Sequence, residues 1–129
     1  MKYLARIALL ALIISTVCCT TGVDVSAAVS ESGWKCLHNN NHKFAIPRAW
    51  KSYGAYDTNA KANIAGAKSA GFANVDVYMF PCRGHSASDQ VSSLVSNLGA
   101  AQYGMIWIDV EVNPSSGCSW SSYSHSSNC

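Results

Sequence analysis

The sequence has 129 residues, of which 49% are hydrophobic and only 12% are charged. Lys2 and Arg6 belong to the first few residues, and without them the nine basic side chains become seven, which equals the number of acidic ones. A chain with no net charge and no cluster of lysine and arginine excludes nucleic acid as its partner, because the neutralisation of phosphates drives such binding.

The first nineteen residues have the pattern of a secretory signal peptide. Two basic residues precede an uncharged apolar run, Ile7–Val17, and small and polar residues follow it. The run is too short to cross about 30 Å of hydrocarbon at about 1.5 Å per residue. We therefore predict a signal peptide over residues 1–19, cleavage between Cys18 and Gly22, and no membrane anchor. The mature protein would be secreted, or reach a lysosome or phagosome, through the secretory pathway. The alternative is an uncleaved anchor or a lipid on Cys18 or Cys19.

The first half of the remaining chain predicts two strands, each followed by a helix. These elements are Gly22–Ser26, Ser30–Asn39, Phe44–Trp50 and Thr58–Ala70. In the first helix Trp34 points inward, and Ser30 or Ser32 is the cap. Pro47 cannot donate a hydrogen bond to a neighbouring strand, which predicts an irregularity in the second strand. Gly71 ends the second helix.

The second half predicts a strand at Val75–Phe80, a helix at Gln90–Leu98 and a strand at Tyr103–Val112. Strands that alternate with helices favour parallel pairing through right-handed crossovers. In such folds ligands bind at the carboxyl ends of the strands. The sequence therefore predicts an α/β protein with its functional residues at the ends of four parallel strands.

Four cysteines remain after the predicted cleavage: Cys36, Cys82, Cys118 and Cys129. An even number in an oxidising compartment predicts two disulfides, with three possible connectivities. A bond between Cys118 and Cys129 would staple the serine-rich tail and leave Cys36 to pair with Cys82. No C-x-x-C pair occurs and the histidines lack ligand spacing, so we expect disulfides and no metal site. No glycine-rich phosphate loop is present, and we expect no cofactor.

Carboxylates interrupt three of the four apolar strands. They are Asp24, Asp76, and the pair Asp109 and Glu111. A buried unpaired carboxylate is costly, so such placement indicates a function. Side chains alternate along a strand, which puts Asp109 and Glu111 on one face with Trp107 and close enough to couple electrostatically. One carboxyl would stay protonated while the other is ionised, as acid-catalysed glycoside cleavage requires. The alternative for this pair is an ion pair or a helix cap.

Aromatic side chains accompany these carboxylates at the strand ends and in the following loops. They are Trp50, Tyr53, Tyr56, Tyr78, Phe80 and Trp107. Flat aromatic faces pack against sugar rings, although any one of these residues is equally compatible with a place in the core. We predict Tyr78, Phe80 and Trp107, together with Asp76, as substrate-binding residues.

Five segments together resemble a known family. They are GVDVS at the first strand, FAIPRAW at the second, the helix NAKANIAGAKSAGF, DVYMFPC at the third strand and YGMIWIDVEV at the fourth. They resemble the lysozymes of glycoside hydrolase family 25, in particular the secreted invertebrate and protist branch, over Gly22–Val112. The resemblance implies a modified β/α barrel that hydrolyses the β-1,4 bond between N-acetylmuramic acid and N-acetylglucosamine in bacterial peptidoglycan.

The resemblance also implies roles for individual residues. Glu111 matches the proton donor of the family's D-x-E motif. Asp109 matches the residue that orients or stabilises the substrate acetamido group as it attacks the anomeric carbon. Asp24 matches an aspartate on the floor of the active site, and Tyr78 matches an aromatic residue that lines the cleft.

After Val112 the chain runs NPSSGCSWSSYSHSSNC and stops, whereas members of the family continue through a further helix and several strands. We therefore expect residues 22–129 to form an incomplete lysozyme-like domain, a partial TIM-like barrel whose later strands are missing. The tail is expected to be an ordered loop. The alternative functions are a catalytically silent carbohydrate-binding remnant and, third, a chitinase-like hydrolase of amino sugars. The sequence leaves the oligomeric state open.

Overall fold

The structure is a computed structural model that describes residues 20–128. The predicted signal peptide and Cys129 lie outside the described residues. The elements in chain order are β1 Gly22–Val25, α1 Glu31–Asn39, β2 Phe44–Lys51, β3 Ala55–Tyr56, α2 Ala60–Ser69, β4 Asn74–Val75, β5 Val77–Met79, α3 Ala87–Leu98, β6 Ile106–Ile108 and α4 His125–Asn128. They follow the predicted order, except that β3 and α4 were not predicted and the third predicted strand is divided into β4 and β5. A single 3-10 turn, Trp120–Ser122, precedes α4 in the tail.

The main path of the sheet runs β1-β2-β5-β6, and all three of its pairings are parallel. The short strand β4 also pairs with β2 in parallel, whereas β3 folds back on β2 antiparallel. Within residues 20–128 the sheet does not close, so β1 and β6 are its edges. The predicted fold class is confirmed: this is an α/β protein with the parallel sheet of a partial β/α barrel.

Local sequence signals account for the helix boundaries. The Ser30 side chain accepts a hydrogen bond from the backbone N–H of Gly33 at 3.1 Å and so caps α1. Ser86 does the same for Asp89 and starts α3 earlier than predicted, at Ala87. Gly71, with φ +103°, follows the end of α2 in the left-handed region that glycine tolerates best.

Two of the predicted strands are shorter than expected. The segment predicted as one strand at Val75–Phe80 is divided at Asp76 into β4 and β5. The last strand covers only Ile106–Ile108 instead of Tyr103–Val112. On the N-terminal side of β6, the N–H of Met105 donates to the Asp76 side chain instead of to a backbone carbonyl of a neighbouring strand. On the C-terminal side, the partner strand β5 ends at Met79, so the segment after Ile108 has no strand to pair with there.

The irregularity in β2 lies slightly later than predicted. Pro47 itself keeps register with Val25 of β1. The register with β5 shifts between Arg48 and Trp50. Pro47 therefore leaves the pairing of β2 with β1 regular, and the irregularity occurs in the pairing of β2 with β5.

The hydrophobic core lies between the helices and one face of the sheet. Alternate residues of β2, namely Ala45, Pro47 and Ala49, are buried beneath the helices, and the residues between them are only half-buried. Trp34 of α1 packs edge-on against Phe72 with ring centroids 5.7 Å apart. The core thus covers one face of the sheet and leaves the opposite face open for a site.

A disulfide joins Cys82, in the loop after β5, to Cys118 in the tail. The combination of Cys36 with Cys82 and Cys118 with Cys129 is therefore wrong. Proximity in sequence favoured that pairing, but the fold brings the tail back against the loop after β5, with the two Cα atoms 4.4 Å apart. Cys36 is exposed and unpaired within the described part of the chain.

Across residues 20–128, no helix has the length and apolar character needed to cross a membrane.

Candidate active site

A cleft of about 320 Å³ opens on the uncovered face of the sheet. It is lined by Asp24 of β1, Ile46 of β2, Tyr78 of β5, Trp107 and Ile108 of β6, and Asp109 directly after β6. Strand register explains the grouping, because Asp24 is level with Ile46 and Tyr78 is level with Trp107. Each main strand of the parallel sheet therefore contributes to one cleft.

Four of the predicted site residues come together here: Asp24, Tyr78, Trp107 and Asp109. The other three, Asp76, Phe80 and Glu111, do not line the cleft. Phe80 is only 9% exposed, and its backbone N–H donates to the carbonyl of Trp50. Trp50 is itself buried, with its indole N–H bound to Gln90. Both aromatic residues thus occupy the core, the alternative considered from the sequence.

Asp76 holds the aromatic wall of the cleft. Its carboxylate accepts the indole N–H of Trp107 at 2.9 Å and the backbone N–H of Met105 at 3.0 Å. Gly104 makes this arrangement possible, because a Cβ atom there would lie 2.4 Å from Asp76 Oδ1. Asp76 was predicted to bind substrate; the structure instead directs both carboxylate oxygens at groups of the protein that orient Trp107.

Glu111 is exposed and lies two residues beyond Asp109. It lines a separate pocket with residues of the tail. The prediction that Asp109 and Glu111 share one face depended on a strand that continues to Val112. Because β6 ends at Ile108, the two residues lie outside the strand, and the alternation of side chains does not apply to them.

An ion pair that was not predicted from the sequence lies beside the cleft. Arg48 Nε lies 2.9 Å from the Asp57 carboxylate, and its Nη2 donates to the carbonyl of Ser26 at 2.9 Å. Asp57 is 1% exposed and also accepts the backbone N–H of Asn59. Arg48 is the register partner of Tyr78. The signal was present, since Arg48 interrupts the apolar strand FAIPRAW as Asp24 interrupts GVDVS.

The electrostatics of the cleft act on Tyr78. Burial raises the pKa of its phenol above the usual value, and Asp24 and Asp109 raise it further, while the Arg48 guanidinium opposes the shift. Tyr78 therefore stays protonated well into the alkaline range and keeps an O–H donor in the cleft.

The cleft thus combines two carboxylates, a phenolic donor and an aromatic wall. This is a set of groups suited to a polar ring with hydroxyl and amide substituents. No group of three histidine, cysteine or acidic side chains among residues 20–128 is placed to hold a metal ion.

Comparisons with known proteins point to the same class of molecule. A family model described as "Lysozyme-like protein 1" matches residues 15–129. The "Probable GH family 25 lysozyme 2" of Dictyostelium discoideum is 36% identical over 115 residues, which cover 86% of this chain and 54% of that protein. The "Lysozyme-like protein 5" of Caenorhabditis elegans is 36% identical over 95 residues, 70% of this chain and 44% of that protein.

The "Counting factor 50" of Dictyostelium discoideum is also similar, at 37% identity over 94 residues, which cover 68% of this chain and 31% of that protein. No solved structure matches the chain. The chain spans about half the length of the curated lysozyme relatives it matches. With a family match over nearly its whole length and a parallel α/β sheet bearing the cleft residues, the chain belongs to the lysozyme-like proteins of glycoside hydrolase family 25.

Proposed function

We propose that this protein is a glycoside hydrolase that cleaves the β-1,4 bond between N-acetylmuramic acid and N-acetylglucosamine of bacterial peptidoglycan. The observation that carries the proposal is the cleft in which Asp24, Asp109 and Tyr78 meet beside Trp107. Membership of a lysozyme-like family supports the same chemistry.

In this proposal Glu111 donates a proton to the leaving glycosidic oxygen. Asp109 orients the substrate acetamido group, whose carbonyl oxygen attacks the anomeric carbon as the glycosidic bond breaks. Water then attacks the anomeric carbon, breaks its bond to the acetamido oxygen and gives its proton to the Glu111 carboxylate. Asp24 stabilises the positive charge that develops on the sugar, and Trp107 packs against a sugar ring. Since Glu111 lies beside the cleft rather than in it, a bound glycan must extend past Asp109 to reach the proton donor.

The first test is the substitution Glu111→Gln, which keeps the size of the side chain and removes its proton. We expect the release of reducing ends from purified peptidoglycan to fall at least about 100-fold, because a general acid commonly contributes that much. The matched control is Glu31→Gln, a glutamate on the exposed face of α1 paired with Lys35. Equal activity of Glu111→Gln and the wild type would remove Glu111 from the mechanism, and no activity in a folded wild type would overturn the proposal.

A second candidate function is glycan binding without cleavage, favoured by the position of Glu111 outside the cleft. Calorimetric titration with muropeptides separates the two. Heat of binding with no new reducing ends supports a binding protein, whereas cleavage supports the hydrolase.

We also propose that the protein enters the secretory pathway, on the basis of its first nineteen residues. It would then act outside the cell or in a lysosome or phagosome. Mass spectrometry of the expressed protein is expected to give a mature N-terminus between Cys18 and Gly22. An intact N-terminus on protein that stays in the cytosol would contradict this.

A further inference from the structure

A pocket of about 450 Å³ lies between α2 and residues 98–102, where α3 ends and the chain turns toward β6. Helices α2 and α3 pack on the face of the sheet that bears the core, whereas the cleft opens on the other face. The pocket and the cleft share no lining residue, so the proposed cleavage does not account for this pocket. We refer to it as the Lys61 pocket.

Most of the lining of the Lys61 pocket is aliphatic. Its deepest residues are Ile64 and Leu98, which both belong to the hydrophobic core. Ala65, Ala100 and Ala101 also line it, and their small side chains leave the space that larger ones would fill. An aliphatic lining offers few partners to amide or hydroxyl groups, so the body of a ligand that fits here is hydrocarbon.

Two lysines of α2 give the pocket its charge. Lys61 and Lys68 both line it, and they lie two helical turns apart on one face, about 10 Å along the axis. The ion pairs within residues 20–128 involve Lys35, Arg48 and Lys51, so neither lysine of the pocket has an acidic partner there. The described lining residues include no acidic side chain. The charge of the pocket is therefore complementary to an anion.

The two lysines differ in their availability to a ligand. Lys68 Nζ donates to the carbonyl of Ala73, which follows α2, at 3.2 Å. Lys61 is exposed and stands in the first turn of α2, a turn that contains no acidic residue. Lys61 is therefore the better placed of the two to bind the charged end of a ligand.

The shape of the pocket favours a single hydrocarbon chain over a membrane or a peptide. A membrane surface is bound by apolar side chains that protrude, whereas Ile64 is 3% exposed and Leu98 is fully buried. A peptide would bring amides into a lining whose uncharged polar side chain is that of Gln102. A volume of about 450 Å³ is typical of small-molecule sites.

We propose that the Lys61 pocket binds a free single-chain amphiphile with an anionic head group, of the fatty-acid class. The hydrocarbon chain packs on Ile64 and Leu98 between the alanines, and Lys61 Nζ donates to the carboxylate. This binding is a function separate from the cleavage of glycans and does not depend on it.

Calorimetric titration with decanoate, kept below its micelle concentration, tests the pocket. We expect Ala65→Glu, which places bulk and negative charge in the pocket, to raise the Kd at least about tenfold. The matched control is Ala62→Glu, the same change at an exposed position of α2 outside the lining, and it should leave the Kd unchanged. Lys61→Gln should raise the Kd about tenfold, and Lys35→Gln on α1 should not.

Three further probes separate the parts of the ligand and its source. Decanol lacks the charge and acetate lacks the chain, and each should bind at least about tenfold more weakly than decanoate. Equal affinity for decanol and decanoate, or an unchanged Kd in Ala65→Glu, would overturn the inference. Binding to phosphatidylglycerol vesicles without binding of decanoate would identify a membrane surface instead and would also overturn it. If the wild type binds decanoate through Lys61 but cleaves no peptidoglycan, the hydrolase is refuted and this inference stands.

Discussion

The carboxylates on and near the strands fall into two kinds that the sequence does not distinguish. Asp24 and Asp109 face the cleft, whereas Asp57 and Asp76 use their oxygens on groups of the protein. The partners of Asp76 lie 29 and 31 residues away in the chain. Sequence patterns could predict that acidic residues gather at this end of the sheet, but not which of them contacts remote backbone.

Removal of the Asp76 carboxylate is expected to loosen Trp107. Asp76→Ala leaves the N–H of Met105 and the indole N–H of Trp107 without their acceptor. The free energy of unfolding should fall by about 0.5–1.5 kcal/mol, because the exposed donors can turn to water, and acrylamide should quench the tryptophan fluorescence more strongly. Glu31→Ala, which removes an exposed carboxylate, should leave stability and quenching unchanged. Unchanged quenching in Asp76→Ala would show that Trp107 is held by its packing alone.

Tyr78 makes the free energy of unfolding depend on pH in the alkaline range. Burial raises its pKa in the folded state above that in the unfolded chain. The unfolded state then loses its proton first, so the contribution is complete below about pH 10 and is lost as the pH rises through the folded-state pKa. Burial raises the pKa of Tyr56 as well, with the same sign.

Urea denaturation from pH 8 upward measures this effect. The free energy of unfolding of the wild type is expected to fall beyond about pH 10. Tyr78→Phe should make that decline shallower, and Tyr78→Phe with Tyr56→Phe shallower still. Identical slopes for the wild type and the double variant would show that neither phenol contributes.

Among the elements, β1, β2, α1 and α2 were predicted to within two residues, whereas the two later strands were predicted too long. The caps at Ser30 and the stop at Gly71 are local signals, and they locate α1 and α2 to within two residues. Strand length depends instead on how far the neighbouring strand extends. The apolar pattern of Tyr103–Val112 indicated a long strand, but β5 provides a partner over only three residues. The number of residues that pair depends on both strands, so the sequence of one strand alone does not predict its length.

The contact between α1 and α2 depends on a glycine. A Cβ atom on Gly66 would lie 2.6 Å from Cδ1 of Trp34, whose side chain is fully buried and has no room to retreat. Alanine in place of glycine normally stabilises a helix by about 1 kcal/mol, whereas overpacking costs about 1–3 kcal/mol. The clash outweighs the gain in helix propensity.

Gly66→Ala is therefore expected to lower the free energy of unfolding by up to about 2 kcal/mol in urea denaturation. Ala62→Gly, at an exposed position of the same helix, measures the propensity contribution alone and should cost about 1 kcal/mol. A Gly66→Ala protein more stable than the wild type would show that the helices separate without cost.

At the scale of the whole molecule, the cleft depends on an open sheet. The described residues supply four parallel strands in the main path, against the eight of a closed β/α barrel. Large apolar side chains are exposed on β6 and on either side of it: Met105, Trp107, Ile108, Val110 and Val112. Parallel sheets are normally covered on both faces, so this uncovered face is the natural place for a ligand. The cleft is built from strands, and the disulfide between Cys82 and Cys118 returns the tail to the loop after β5.

The disulfide makes that return permanent, and its removal should destabilise the protein without changing the cleft. Cys82 and Cys118 are 36 residues apart, and in the chain-entropy model a bond closing such a loop contributes about 4 kcal/mol. We expect Cys82→Ser with Cys118→Ser to lower the free energy of unfolding, measured by urea denaturation, by roughly that amount.

Binding of muropeptides, measured by calorimetric titration, should survive, since Asp24, Tyr78 and Trp107 are placed by strands that the bond does not touch. Cys36→Ser is the matched control, because Cys36 is exposed and unpaired within residues 20–128, and it should leave both stability and muropeptide affinity unchanged. Loss of muropeptide affinity in a double variant that is still folded would mean that the tail shapes the cleft as well as stabilising the fold.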